Sequence, residues 1–146
     1  MQAIATVTTR LMFLCLLFLG CHFTYSLDNS GGQIEFTSPN FFGEGYPLAQ
    51  KCTWRFVAPE KRTPHIDFVE VDIEGEDEIE IQSGWNSGSS VGRISKSNPP
   101  NGNGYGPSDN SDTALFVKFE SKASSSSRKR SKGFRGIFKV TASKGE

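Results

Sequence analysis

The chain has 146 residues, which is enough for one domain of ordinary size. Its aromatic content of 12%, with twelve phenylalanines, can fill a packed core and excludes a disordered chain. Sixteen basic and sixteen acidic residues give a net charge of zero, so we expect no nucleic-acid partner. Fifteen glycines and seven prolines indicate many turns, as in an all-β fold.

Residues 1–26 have the composition of a secretory signal peptide. They contain no acidic residue and a single base, Arg10, which is followed by an apolar run over 11–19. That run is too short to cross a bilayer as a stable helix, but it has the length and flanks of a signal-peptide core. No later stretch is apolar enough to span a membrane, so we expect a secreted, extracellular protein.

The predicted cleavage follows Ser26. Thr24 and Ser26 then supply the small residues at positions −3 and −1, whereas a cut after Gly20 would place the bulky Phe18 at −3. Residues 27–32 would form a loose N-terminal segment.

Cysteine usage depends on that cleavage. Cys15 and Cys21 leave with the signal peptide, so Cys52 is predicted to be the unpaired cysteine of the mature chain. One interpretation is a buried, inert thiol, because free cysteine is among the most buried residue types. The other, less favoured, is an intermolecular disulfide that joins two copies through Cys52.

Alternation of apolar and polar residues predicts short strands throughout the mature chain. In the clearest case, Cys52, Trp54 and Phe56 share one face of a strand. Short strands without any helical period predict an antiparallel β-sandwich over 33–141, followed by a tail over 142–146. The predicted strands are 33–37, 52–57, 65–74, 76–81, 91–94, 114–119 and 133–140.

The strand over 65–74 carries an irregularity. Its alternation shifts between Phe68 and Val69. A β-bulge at that point would bring Val69, Val71 and Ile73 onto the core face.

Six segments resemble, in the same order, the motifs of the CUB domain family, an extracellular β-sandwich module. The opening run 38–56, with Tyr46 before Cys52 and Trp54, resembles S-P-N-Y-P-x-x-Y-P followed by C-x-W-x-I. The resemblance implies a jelly-roll-like sandwich that acts by binding an extracellular protein. The other segments are 71–74 (F-D-L-E), 77–81 (D-Y-V-E-I), 91–94 (L-G-R-I), 115–121 (L-x-V-x-F-x-S) and 132–136 (G-F-x-A).

The chain departs from the family at its cysteines. The resemblance implies four cysteines in two disulfides, but only the second is matched, as Cys52, and the fourth position is Ser95. The first and third have no counterpart in the predicted mature chain.

Glu74 and Asp77 bracket a tight turn at Gly75, within an acidic stretch that is most simply a solvated surface. The sharper interpretation is that these two carboxylates supply hard oxygen ligands to one calcium ion. The resemblance implies the same two positions as calcium ligands.

The resemblance also implies that Tyr46 orients the calcium site and that a third acid completes it. The third position is Lys122 in this chain. Glu120 or Asp109 would have to replace the missing acid, or Lys122 would neutralise the turn in place of a metal. The resemblance further implies that Tyr46 and the two acids of the turn define a protein-binding face that receives a lysine of the partner.

A basic cluster at the end of a serine-rich loop consists of Arg128, Lys129, Arg130 and Lys132. Concentrated positive charge attracts polyanions, which predicts binding of a sulfated glycan such as heparin as an alternative function. The cluster also matches a protease processing site or a solvated loop.

We expect no enzymatic activity. His65 is the only histidine of the predicted mature chain, and no catalytic or phosphate-binding motif accompanies it. A further alternative is that the chain is the CUB portion of an extracellular protease, such as a tolloid-like or complement enzyme, although no protease motif supports it.

Overall fold

The computed structural model describes residues 21–85, 88–109, 111–122 and 131–142, and all of its regular structure is β-strand. The all-β prediction is therefore confirmed. The strands are β1 Cys21–Ser26, β2 Gln33–Thr37, β3 Lys51–Val57, β4 Arg62–Asp72, β5 Glu78–Ser83, β6 Ser90–Ile94, β7 Ala114–Glu120 and β8 Gly133–Ala142.

The strands form two sheets that pack as a sandwich. One sheet has five strands in the order β1-β3-β7-β5-β6, and the other has three in the order β2-β8-β4. All described pairs are antiparallel except β1 and β3, which are parallel. The predicted sandwich is thus confirmed, with an additional parallel strand at one edge.

Aromatic side chains from both sheets fill the core. Trp54 and Phe56 of β3 meet Phe134 and Phe138 of β8, with ring centroids 5.4 Å apart for Trp54 and Phe134 and 4.8 Å apart for Phe56 and Phe138. All four rings are at most 1% exposed. Burial of a large apolar side chain contributes about 1.5–3 kcal/mol, so this layer is a main source of stability.

The predicted bulge is present, but one residue faces the other way. The register of β4 against β8 shifts between Phe68 and Glu70, which leaves Val69 out of the ladder. Val69 is 49% exposed, so its predicted place on the core face is wrong, while Val71 and Ile73 do pack against the core. The extra residue of a bulge is the unpaired one, and it turned outward.

Cys52 is not an unpaired cysteine. It forms a disulfide with Cys21, its direct register partner across β1 and β3. The prediction of a free thiol and that of a dimer through Cys52 are both wrong. Closing a loop with a sequence separation of 31 is worth about 3–4 kcal/mol in the chain-entropy model.

The first strand lies within the segment assigned to the signal peptide. β1 covers Cys21–Ser26, so cleavage after Ser26 would remove a paired strand together with the disulfide partner of Cys52. Leu27 packs against the core, and residues 28–32 form an exposed connection from β1 to β2.

Candidate functional site

The turn that joins β4 to β5 brings the two predicted acids together. Asp77 N donates to the carbonyl oxygen of Glu74 over 3.0 Å, which closes the turn. Gly75 has a φ of 56°, a left-handed conformation that glycine adopts without steric cost. The tight turn predicted at this glycine is therefore present.

Asp77 is a buried anchor of the turn, with an exposure of 6%. Its Oδ2 accepts a hydrogen bond from the Tyr46 hydroxyl over 2.5 Å, and its Oδ1 accepts one from the Lys122 backbone N over 2.7 Å. The carboxylate thus joins three separate segments of the chain. Lys122 contributes its backbone here rather than its charge.

Tyr46 completes the anchor. Its hydroxyl accepts a hydrogen bond from the backbone N of Glu74 over 3.0 Å, while it donates to Asp77. The ring is 2% exposed and packs edge-to-face on Phe119, with centroids 5.0 Å apart. Burial, followed by the hydrogen bond to Asp77, raises the pKa of the Tyr46 hydroxyl far above its usual range, so the group stays a neutral donor.

Glu74 is accessible to solvent, as is Glu76 in the same turn. The side chain of Glu74 is 41% exposed, and its Oε2 accepts a hydrogen bond from Lys96 Nζ over 2.7 Å. Lys96 is two residues beyond the end of β6, which pairs with β5 and so returns the chain to this turn. A lysine does neutralise the turn, but it is Lys96, which was not among the predicted site residues.

The two replacement ligands proposed for the missing acid do not join the turn. Glu120 follows the inward-facing Phe119 on β7, so it points to the outer face of the sheet, where it pairs with Lys122 Nζ over 3.1 Å. The hydrogen bond from Lys122 lowers the pKa of Glu120.

Asp109 lies at the other end of β5. It accepts a hydrogen bond from the backbone N of Ser111, and the nearby Ser108 N donates to the hydroxyl of Ser83. Ser83 ends β5, and six residues at about 3.3 Å each separate it from Asp77 by roughly 20 Å.

The residues at the turn do not fit a calcium ion in this arrangement. Calcium takes six to eight oxygen ligands. Asp77 is buried and already accepts two hydrogen bonds, and Glu74 is paired with Lys96. Within the described ranges, no group of three or more acidic, histidine or cysteine side chains is placed to hold a metal.

The predicted basic cluster is only partly described. Arg128, Lys129 and Arg130 lie outside the described residues, and Lys132 is engaged internally. Its Nζ pairs with Glu70 over 2.7 Å, its backbone N donates to Asp72 over 2.8 Å, and its Nζ lies 4.6 Å from the ring centroid of Phe41.

An exposed aromatic side chain was not predicted. Phe41 is 2% exposed, but Phe42 beside it is 80% exposed, with ring centroids 5.0 Å apart. The resemblance places a proline at this position, which concealed the exposed ring. Two consecutive aromatic residues in a turn, of which one enters the core, were the available signal.

The fold and this turn define a two-sheet β-sandwich module whose parallel edge strand is tied to its neighbour by a disulfide. The chain belongs to the CUB domain family, because the CUB domain model matches residues 21–138. The match begins at Cys21. CUB domains are typically extracellular and are generally non-catalytic interaction modules.

Solved structures share the fold at low sequence identity. The full extracellular region of zebrafish Gpr126/Adgrg6 superposes with a TM-score of 0.61 at 22% identity, over 84% of this chain and 15% of that one. The CUB1-EGF-CUB2 domains of rat MASP-1 give a TM-score of 0.59 at 19% identity, over 81% of this chain and 42% of that one.

The corresponding domains of human MASP-1/3 give a TM-score of 0.61 at 17% identity, over 78% of this chain and 42% of that one. The chain therefore spans less than half the length of each of these structures. No curated protein matches the sequence. Among the described residues, no helix is long and apolar enough to cross a membrane.

Proposed function

We propose that the protein is a secreted, non-enzymatic CUB module that binds an extracellular protein partner through Glu74. The observation that carries the proposal is that buried and accessible side chains have different roles at the turn between β4 and β5. Tyr46 and Asp77 are buried and hold the backbone, while Glu74 is fixed above them with 41% of its side chain exposed. A carboxylate held by a rigid turn loses little entropy on binding, which favours recognition.

The chemistry of this end of the sandwich indicates what the partner supplies. A lysine or arginine side chain of the partner would pair with Glu74 in place of Lys96. Exposed ion pairs contribute about 0–1 kcal/mol, so Lys96 is displaced at little cost. Phe42, four residues before Tyr46 and 80% exposed, offers an aromatic anchor of the kind that dominates protein interfaces.

We infer that this recognition does not require calcium. Lys96 already supplies a positive charge to Glu74, and the hydrogen bonds of Asp77 hold the turn without a metal. The calcium ligands expected from the family resemblance at Glu74 and Asp77 would have to leave these partners to bind an ion.

A matched pair of variants tests the role of Glu74. Glu74 and Glu70 have the same side-chain exposure of 41%, and each is paired with a lysine over 2.7 Å. The full chain, Glu74→Gln and Glu70→Gln are each immobilised, and the extracellular proteins that they retain are measured by quantitative mass spectrometry. Loss of one partner of an interfacial charge pair costs about 2–5 kcal/mol, so retention should fall at least about thirtyfold in Glu74→Gln.

Equal retention by the full chain and Glu74→Gln would overturn the assignment. A fall in both variants would show a general effect of acidic charge rather than a site at the turn, and it would overturn the assignment as well.

We also propose that secretion leaves Cys21 in the mature chain. The support is the disulfide between Cys21 and Cys52 and the pairing of β1 with β3. The intact mass of the protein collected from the medium should correspond to a chain that retains Cys21 in an oxidised disulfide. A chain that begins at Leu27 with a free thiol at Cys52 would contradict this.

A further inference from the structure

A second constellation lies beyond the other end of β5, on the outer face of the five-stranded sheet. The guanidinium of Arg55 on β3 sits between two aromatic rings, with its Cζ 5.0 Å from the ring centroid of Phe116 and 5.9 Å from that of Trp85. Phe116 is the direct register partner of Arg55 on β7, and Trp85 lies two residues past the end of β5. The loop therefore carries Trp85 back over the sheet.

The guanidinium of Arg55 has a fixed orientation but makes only one hydrogen bond with the described residues. Arg55 Nε donates to the carbonyl oxygen of Trp85 over 3.2 Å, which sets the orientation of the planar group. Within the described part of the chain, neither terminal nitrogen of Arg55 has a hydrogen-bond acceptor or an ion-pair partner. A guanidinium offers five N–H donors in a fixed fork, so four of them remain for a ligand.

Trp85 supplies the second element of a binding surface. Its side chain is 50% exposed, although tryptophan is normally highly buried. The ring of Trp85 can pack against the face of a ligand ring while the fork of Arg55 binds an acidic group in the bidentate manner typical of carboxylates. Thr24, the register neighbour of Arg55 on β1, adds an exposed hydroxyl beside it.

The other charges on this face already have partners in the protein. Glu80 on β5 pairs with Arg93 over 3.2 Å and with Lys118 over 3.9 Å, and Glu120 on β7 pairs with Lys122 over 3.1 Å. These bases are therefore less available to an anion than the guanidinium of Arg55. The surface is therefore suited to one negative charge at Arg55.

We propose that Trp85 and Arg55 form a binding site for a terminal acidic sugar, a pyranose ring that bears one carboxylate. The carboxylate pairs with the free edge of the Arg55 fork, and the sugar ring packs on the Trp85 indole. β5 separates this site from the turn at Glu74 by roughly 20 Å, so the two sites can be tested independently.

The test uses the indole N–H signals of the isotope-labelled protein in NMR titrations. The chain has two tryptophans, and Trp54 is 1% exposed, so its signal is an internal reference. Sialyllactose and a glucuronic-acid-terminated disaccharide are the probes, and lactose is the neutral control. We expect a saturable shift of the Trp85 signal, with a dissociation constant on the order of 1 mM for at least one acidic probe. Lactose should give no saturable shift.

Variants distinguish bidentate binding by the guanidinium of Arg55 from simple attraction by its positive charge. Arg55→Lys keeps the charge but loses the fork and should weaken binding at least tenfold. Lys51→Gln removes a positive charge from the same face of β3 and should bind as the unmodified chain does. Trp85→Ala, followed through the ligand signals, should also lose binding. Melting temperatures establish that each variant is folded. We expect Trp85→Ala and Arg55→Lys to fold, because Trp85 is exposed and Arg55→Lys is a conservative substitution.

Three results would overturn the proposal. The first is the absence of a saturable Trp85 shift with both acidic probes up to about 20 mM, which lies far above the expected dissociation constant. The second is equal binding by Arg55→Lys and the unmodified chain. The third is a triglutamate peptide that binds to Trp85 and Arg55 more tightly than the acidic sugars, which would assign the site to acidic peptides instead.

Discussion

Polar groups at the two ends of β5 differ in how many of their hydrogen-bond partners the described residues supply. At the turn before the strand, Tyr46, Asp77 and the backbone of Lys122 satisfy one another, and Lys96 covers the accessible Glu74. At the loop after the strand, Arg55 is held in place, but its terminal donors have no acceptor among the residues that the structure describes. Hydrogen bonding can therefore build a turn or hold a group ready for a ligand, and the two uses predict different responses to mutation.

The largest expected effect is at the buried acid. Asp77→Ala leaves the Tyr46 hydroxyl and the Lys122 backbone N without their acceptor in a buried site. We expect a loss of about 2–4 kcal/mol in the free energy of unfolding, measured by urea denaturation. Glu76→Ala, an exposed acid in the same turn, should change it by less than about 0.5 kcal/mol. Equal losses in the two variants would show that Asp77 does not brace the turn.

Alkaline pH should lower the free energy of unfolding through ionisation of the Tyr46 hydroxyl at the same turn. Its pKa is raised in the folded protein above the ordinary value of 10.0, so the folded state holds this proton more tightly than the unfolded state. Stability from this group is complete below pH 10 and is lost as the pH rises above it, by up to about 1.4 kcal/mol per pH unit.

The measurement is the free energy of unfolding between pH 9 and 11 for the unmodified chain and for Tyr46→Phe. The variant lacks the titrating hydroxyl and should show a shallower decline. Parallel curves would mean that the proton on Tyr46 is not coupled to folding.

The smallest expected effect is at the other end. Arg55→Gln removes two contacts with aromatic rings and one hydrogen bond at a half-buried position. We expect a loss of about 1 kcal/mol in urea denaturation. Lys118→Gln, on the exposed outer face of β7, should be neutral within about 0.5 kcal/mol. A loss at Arg55 as large as that for Asp77→Ala would make this end a structural anchor and remove the contrast between the two regions.

Local pattern accounts for most of the fold. The alternation of Cys52, Trp54 and Phe56 predicted a core-facing strand, since side chains of a strand alternate between its faces. The bulge near Phe68 was also visible as a change of phase, although the pattern does not decide which way the unpaired Val69 points.

Long-range pairing accounts for what was missed. The disulfide joins Cys52 to a residue 31 positions away, and small residues near Ser26 gave a local argument that removed that partner from the mature chain. Lys96 reaches Glu74 only because β6 pairs with β5. The stacking of Arg55 and Trp85 likewise depends on the register of β3, β7 and β5. None of these contacts has a signal in the neighbouring sequence.

We propose that hydrogen bonds of the protein, rather than a metal ion, hold the turn that presents Glu74. The experiment is a calorimetric titration of the unmodified chain and of Glu74→Gln with calcium. We predict no saturable heat up to several millimolar, above the weak end of extracellular calcium affinities at about 10⁻³ M. Saturable binding by the unmodified chain that disappears in Glu74→Gln would contradict the account and make the turn a calcium site.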